Sequence, residues 1–178
     1  ARCEVGKYST VIGADTRDVC SDCPQGKWLG ITGSPTPNDC QSCVAGRYLD
    51  ATGSDGADDC QPCAAGTWSP IEAAVSATDC IACSAGKFLR STASVSETAC
   101  TNCPAGKYVE IGSRTSPDDC ISCPVGRVSP SAGNDELSDC TLCQPGLYQP
   151  RVQQPVCIAC EAGRFTELTE QTECQLCT

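Results

Sequence analysis

The sequence predicts a small disulfide-rich repeat fold, an elongated rod of nine tandem β-hairpin-like units with little helix. Three observations predict it: a short unit opening Cys-x-x-Gly recurs along the 178 residues, 19 of the residues are Cys, and every aromatic occupies one place in the unit. Self-similarity at a fixed short period marks a quasi-one-dimensional array, in which each unit leans on its neighbours instead of sharing one core. A cysteine content of about 11% exceeds the level that marks a disulfide scaffold.

The units open at Cys3, Cys23, Cys43, Cys63, Cys83, Cys103, Cys123, Cys143 and Cys160, with a period of 20 residues through the first seven and 17 for the last two. No linker or shift in composition interrupts the series, so residues 1–178 read as one continuous array. Counting each opening cysteine as position 0, position 3 is glycine in all nine units, from Gly6 to Gly163. A place that accepts glycine alone calls for positive φ or close backbone approach, here a tight turn feeding a short strand.

The eight aromatics all stand at position 5: Tyr8, Trp28, Tyr48, Trp68, Phe88, Tyr108, Tyr148 and Phe165, with Val128 in the seventh unit. One ring burying roughly 150–250 Å² is expected to be the core of each repeat. An exposed carbohydrate-stacking ladder is the alternative reading of the same series. Position 4 is basic in seven units (Lys7, Lys27, Arg47, Lys87, Lys107, Arg127 and Arg164), and an acid precedes the closing cysteine by three residues or fewer in eight. Paired as a hairpin, these charges are expected to face one another across strands or between repeats. Such exposed pairs contribute about 0–1 kcal/mol each, so they set register and solubility more than stability.

Between these landmarks lie Ser, Thr, Pro, Gly and Asp in turn-forming runs such as Ser34-Pro35-Thr36-Pro37-Asn38. Ile71–Ala77 is the one run suited to a helical turn, and an isolated helix of that length is marginal.

Nine Cys-x-x-Cys pairs follow Cys3, and their separation lies within the range of zinc ribbons. Four thiolates per zinc would fill four sites and strand one pair and Cys3. Disulfides closing each unit leave less over: Cys3 with Cys20, Cys23 with Cys40, Cys43 with Cys60, Cys63 with Cys80, Cys83 with Cys100, Cys103 with Cys120, Cys123 with Cys140, Cys143 with Cys157, and Cys160 with Cys174. Every repeat satisfies this serial pattern identically. A redox role expects a single Cys-x-x-Cys in an α/β setting. Cys177 remains where a tenth unit would open, as expected of a segment of a longer array or of an end completed by another molecule through an unpaired or intermolecular thiol.

The disulfide reading places the chain outside the cell or on its surface, where such bonds persist. A net charge of −10 and a pI near 4.3 argue against nucleic acid and anionic membranes, and no apolar stretch is long enough for direct membrane insertion. The chain contains no His, the commonest general base and metal ligand. Asp58-Asp59 and Asp118-Asp119 read as solvated turn carboxylates before they read as calcium ligands. No catalytic constellation and no cofactor site is legible, so the expectation is a protein that is not an enzyme.

Cys103-Pro104-Ala105-Gly106-Lys107-Tyr108, closed by Asp119-Cys120-Ile121-Ser122-Cys123-Pro124, resembles the ephrin-receptor-like cysteine-rich repeat. The likeness spans all nine units. It is similar in style to tumour-necrosis-factor-receptor and EGF-like modules, but lacks the third cysteine crowded near the first pair in the former. The resemblance implies extracellular rods of the kind found in receptors, protist surface antigens and surface fibres. The expected function is structural, a subunit or segment of a surface fibre that self-associates head-to-tail and carries O-linked glycans on its Ser/Thr loops. The alternative is a receptor stalk, a ligand-binding ectodomain or a protist surface antigen.

Overall fold

The computed structural model describes residues 2–13 and 16–177. Each repeat is a two-stranded antiparallel hairpin with two residues per strand, and there are nine of them. The first strand holds positions 4 and 5 and the second directly follows the closing cysteine. Lys7–Tyr8 pairs with Ser21–Asp22 in the first repeat, and Arg164–Phe165 pairs with Gln175–Leu176 in the last. No α-helix forms among the described residues, and Ile71–Ser76 is loop. Helical character is confined to seven 3₁₀ turns, such as Pro37–Asp39, Ala77–Asp79 and Pro117–Asp119, each lying just before a closing cysteine.

Local chemistry explains these short elements. The N–H of Lys7 bonds the carbonyl of Glu4, closing a four-residue turn whose third residue, Gly6, has φ of 76°. A turn of that hand needs positive φ at that place, which glycine adopts without steric cost. The 3₁₀ turns are capped from their own loops: Ser116 Oγ accepts the N–H of Asp118, and Pro117 fills the first helical place, where no N–H is needed. Repeats 8 and 9 contain no 3₁₀ turn, and the three residues they lack are the length of that turn. The hairpin and the disulfide survive the deletion because neither uses those residues.

The chain divides into two compact units, Ala1–Ile81 with Ser91–Glu97, and Ala82–Arg90 with Thr98–Thr178. Within each unit the same four backbone hydrogen bonds recur between consecutive repeats. The position 3 N–H bonds the position 6 carbonyl of the next repeat, as Gly6 to Leu29 and Gly106 to Ser129. The position 6 N–H bonds the position 11 carbonyl of the next repeat, as Leu29 to Ser54 and Val109 to Asn134. The position 10 N–H returns to the opening cysteine of the preceding repeat, as Gly53 to Cys23 and Gly133 to Cys103. Each opening cysteine then donates to the preceding position 3 carbonyl, as Cys43 to Gly26.

Repeats also touch at second-neighbour range. A Cβ on Gly6 would collide with the carbonyl of Gly53, and one on Gly86 with that of Gly133. A side chain on Gly106 would stand 2.7 Å from the carbonyl oxygen of Gln153. Position 3 is therefore glycine for two reasons at once, its left-handed backbone and the loop of the repeat two places on. Gly146, with φ of 82°, has nothing within 4 Å of where a Cβ would stand. We expect Gly146→Ala to cost only the left-handed strain, about 1 kcal/mol, and Gly106→Ala to add the collision and cost about 1–3 kcal/mol in all. Denaturant unfolding of the oxidised protein checks this; equal costs would show that the second-neighbour contact carries no energy.

Candidate functional site

Nine disulfides close the nine hairpins: Cys3–Cys20, Cys23–Cys40, Cys43–Cys60, Cys63–Cys80, Cys83–Cys100, Cys103–Cys120, Cys123–Cys140, Cys143–Cys157 and Cys160–Cys174. Each links the two ends of one repeat, with Cα atoms 5.6 to 5.9 Å apart. The sulfurs are the centre of the packing. Tyr8 lies against Cys23, Cys40 and Leu29, and Trp28 against Cys43, Cys60 and Leu49. Phe88 meets Cys103, Cys120 and Val109, and Tyr108 meets Cys123 and Cys140. Each of these rings covers the disulfide of the following repeat, not its own.

The rings do not occupy the deepest place. Phe88 and Tyr108 reach the buried class, while Tyr8, Trp28, Tyr48, Trp68, Tyr148 and Phe165 stay partly exposed, and Val128 is buried in the seventh repeat. Position 6, one residue later, is buried more completely, in Leu29, Leu49, Ser69, Leu89, Val109, Ser129, Gln149 and Thr166. Its polar members find partners: Gln149 Nε2 donates to the carbonyl of Val156 at 2.7 Å, and Thr166 Oγ1 accepts the N–H of Gly146 at 2.8 Å.

Position 10 carries positive φ throughout, in Gly13, Gly33, Gly53, Ala73, Ala93, Ser113, Gly133, Gln153 and Glu170. The five non-glycine residues bear the strain of the left-handed region, which persists where surrounding structure over-determines it. The hydrogen bonds from positions 10 and 11 to the preceding repeat supply that constraint.

The charged positions act differently from the sequence expectation. The acid before the closing cysteine turns back on its own loop: Asp79 Oδ2 accepts the N–H groups of Val75 and Ser76 at 2.8 and 3.1 Å, and Asp119 Oδ2 those of Thr115 and Ser116 at 3.0 and 2.9 Å. Asp59 and Asp139 do the same. With the acids engaged, position 4 bases reach other acceptors. Arg47 Nη1 bonds the carbonyl of Cys60 at 2.7 Å, Arg164 Nη1 that of Cys174 at 3.2 Å, and Lys107 Nζ that of Pro117 at 3.4 Å. Lys7 pairs with Asp22 on the adjoining strand, and Arg127 Nε reaches Glu170 two repeats on, both at 2.6 Å.

Asp58, beside one of these caps, is exposed, and no group of three or more His, Cys, Asp or Glu is placed to hold a metal among the described residues. Cys177 is a free, exposed thiol. Its backbone N–H bonds the carbonyl of Gly163 at 2.9 Å, as repeat-opening cysteines do elsewhere.

A family model for tyrosine-protein kinase ephrin type A/B receptor-like sequences matches residues 51–100 and 131–177, together more than half of the chain. The chain belongs to this family. The ephrin-receptor-like repeats here are held by disulfides, which persist in oxidising, extracellular settings. No curated protein matches the chain. No described helix is long and apolar enough to cross a membrane.

Closing a loop of about 15 residues contributes on the order of 3 kcal/mol in the chain-entropy treatment. Nine closures stand where a shared core would otherwise be. Reduction is therefore expected to abolish the far-UV dichroism of the native chain and its resistance to proteolysis. A native-like reduced form would show that the backbone ladder suffices alone.

The Asp119 carboxyl is held below its ordinary value chiefly by the N–H groups of Thr115 and then Ser116, with the charge of Arg114 adding to the effect and desolvation opposing it. A carboxylate whose folded pKa is depressed lends stability above its unfolded pKa, and that stability is lost as pH falls through the folded value. Asp119→Ala should therefore destabilise at neutral pH, and the difference should vanish in acid. Carbon-detected NMR titration of the carboxyl checks the direction; a midpoint at or above that of a free aspartate contradicts it.

Proposed function

We propose that this chain is a structural element of an extracellular surface fibre, in which ephrin-receptor-like repeats form a disulfide-laddered array and copies associate head-to-tail. The observation that carries this reading is the backbone ladder, which ties each repeat to the next in either compact unit through the same hydrogen bonds whatever side chains stand between. A contact made by backbone alone repeats without a dedicated partner sequence. An asymmetric contact of this kind, made between copies, propagates as a filament. The exposed Cys177 thiol is accessible for a disulfide between copies. The family type is a non-catalytic ectodomain, which accords with a role in architecture.

Exposed loop hydroxyls such as Thr52, Ser91 and Thr92 suit O-linked glycans on such a surface. A receptor stalk or ligand-binding ectodomain is the second reading, favoured by one repeat whose exposed residues depart from the rest. Negative-stain electron microscopy of the unreduced protein tests the fibre. Filaments that shorten when Cys177 is replaced by Ser are expected; particles that stay monodisperse at high concentration would favour the receptor reading.

A further inference from the structure

The departing repeat is the second, and the departure surrounds Trp28. One side of the indole packs on Cys43, Cys60 and Leu49, and the ring remains partly exposed. It lines two open cavities, one of about 530 Å³ with Gly30, Asn38, Asp39 and Gln41, the other of about 330 Å³ with Gln41, Arg47 and Asp58. Both volumes fall in the range of small-molecule sites, about 300–1,000 Å³. Trp28 and Gln41 are common to both, so they form the ridge between two adjoining clefts.

Two departures from the repeat pattern, Gly30 and Asn38, build this place together with Gln41, which Gln61 and Gln175 match in repeats 3 and 9. Position 7 is Gly30 here, whereas the other repeats carry Thr10, Asp50, Pro70, Arg90, Glu110, Pro130, Pro150 and Glu167. A Cβ on Gly30 would stand 3.4 Å from Cζ3 and 4.0 Å from Cε3 of Trp28, so glycine leaves uncovered a part of the ring that a larger residue would touch. Gln41 is the direct cross-strand partner of Trp28 and shares its face of the ribbon. Asn38 stands exposed at the rim, and the side-chain amides of Asn38 and Gln41 make no hydrogen bond among the described residues. The other tryptophan shows the contrast. Trp68 has Pro70, Thr78 and Ile81 at the equivalent places, and its Nε1 is buried without a partner.

We propose that Trp28, Asn38, Gln41 and the adjoining Asp39 form a binding site for a neutral β-linked gluco-oligosaccharide. A pyranose with equatorial hydroxyls presents a flat face of C–H groups to an indole and a rim of hydroxyls that both donate and accept. Free Asn and Gln amides match that rim, since each both donates and accepts. Asp39 Oδ2 takes the Ser34 hydroxyl at 2.7 Å, and its second oxygen adds an acceptor. The chain's net charge of −10 and the carboxylates of Asp39 and Asp58 disfavour an anionic sugar. Clefts on both sides of the ridge suit two successive sugar units.

Cellohexaose is the probe, followed by tryptophan fluorescence and saturation-transfer NMR on the full oxidised chain. Saturable binding is expected that weakens about tenfold or more in Trp28→Ala and Gly30→Pro, the loss of one ring contact and its neighbouring hydrogen bonds. Gly30→Pro introduces the residue that repeats 4, 7 and 8 carry at this place. Should either variant fail to fold, Gln41→Ala, at an exposed position, is expected to weaken binding in the same direction, and Trp68→Phe to leave it unchanged. Absence of saturable binding, binding that persists in Gly30→Pro or Gln41→Ala, or binding lost equally in Trp68→Phe overturns the proposal. Displacement of the sugar by tetramethylammonium at lower concentration would also overturn it, reassigning the ring to a cation. None of these outcomes depends on whether the chain forms fibres.

Discussion

A strand of two residues cannot hold a hairpin closed, and in this protein the disulfide at the base of every hairpin does so. Two-stranded hairpins are marginal in water even when longer than these. With the ends tied, each repeat offers its neighbour a fixed pair of sulfurs, and in the hairpins of Tyr8, Trp28, Phe88 and Tyr108 the aromatic is spent on the disulfide ahead. Packing is thereby handed forward from repeat to repeat. In these clusters a repeat packs its position 6 residue on its own disulfide, as Leu29 on Cys23 and Cys40, and the ring of the preceding repeat completes the cluster.

That forward contact fixes the backbone closely. The turn at position 3 lies under the loop of the repeat two places on, and the loop's position 10 is locked left-handed by a hydrogen bond to an opening cysteine. Glycine is obligatory on the covered side, where a Cβ has no room. On the covering side it is optional: Ala73, Gln153 and Glu170 accept the strain because the bonds around them leave no other conformation. The shortened repeats follow the same logic. Removal of a 3₁₀ turn's worth of residues shortens the loop while position 10, in Gln153 and Glu170, keeps its bonds to Cys123 and Cys143.

The period, the hairpin and the glycine turn were legible in the sequence because each rests on a residue type with one physical use. Position 6 was not legible, since it takes Leu, Val, Ser, Gln and Thr alike. Its place is set by two backbone hydrogen bonds, one from its N–H to the next repeat and one to its carbonyl from the preceding repeat, and burial follows for any side chain that fits, as the side-chain bonds of Gln149 and Thr166 show. Position 10 was hidden for the same reason, because five of its nine residues are not glycine. The acids before the closing cysteines do not meet the position 4 bases across the ribbon as the pattern suggests, because Asp59, Asp79, Asp119 and Asp139 are already engaged by their own loops. Asp79 and Asp119 find two N–H groups three and four residues back in their own loops, and a local acceptor geometry outcompetes a flexible basic side chain.

An array held by backbone and sulfur leaves most side chains free to vary without consequence for the fold. Variation alone therefore says little. Variation gathered around one ring says more, because Gly30 and Asn38 each stand at their place in no other repeat. Trp28 and Trp68 occupy the same place in two repeats of the same compact unit. Around Trp68 stand Pro70, Thr78 and Ile81, and its indole nitrogen is enclosed; around Trp28 stand Gly30, Asn38 and Gln41, with clefts on either side. Both rings keep partial exposure, and what differs between them lies in neighbours that the scaffold does not need.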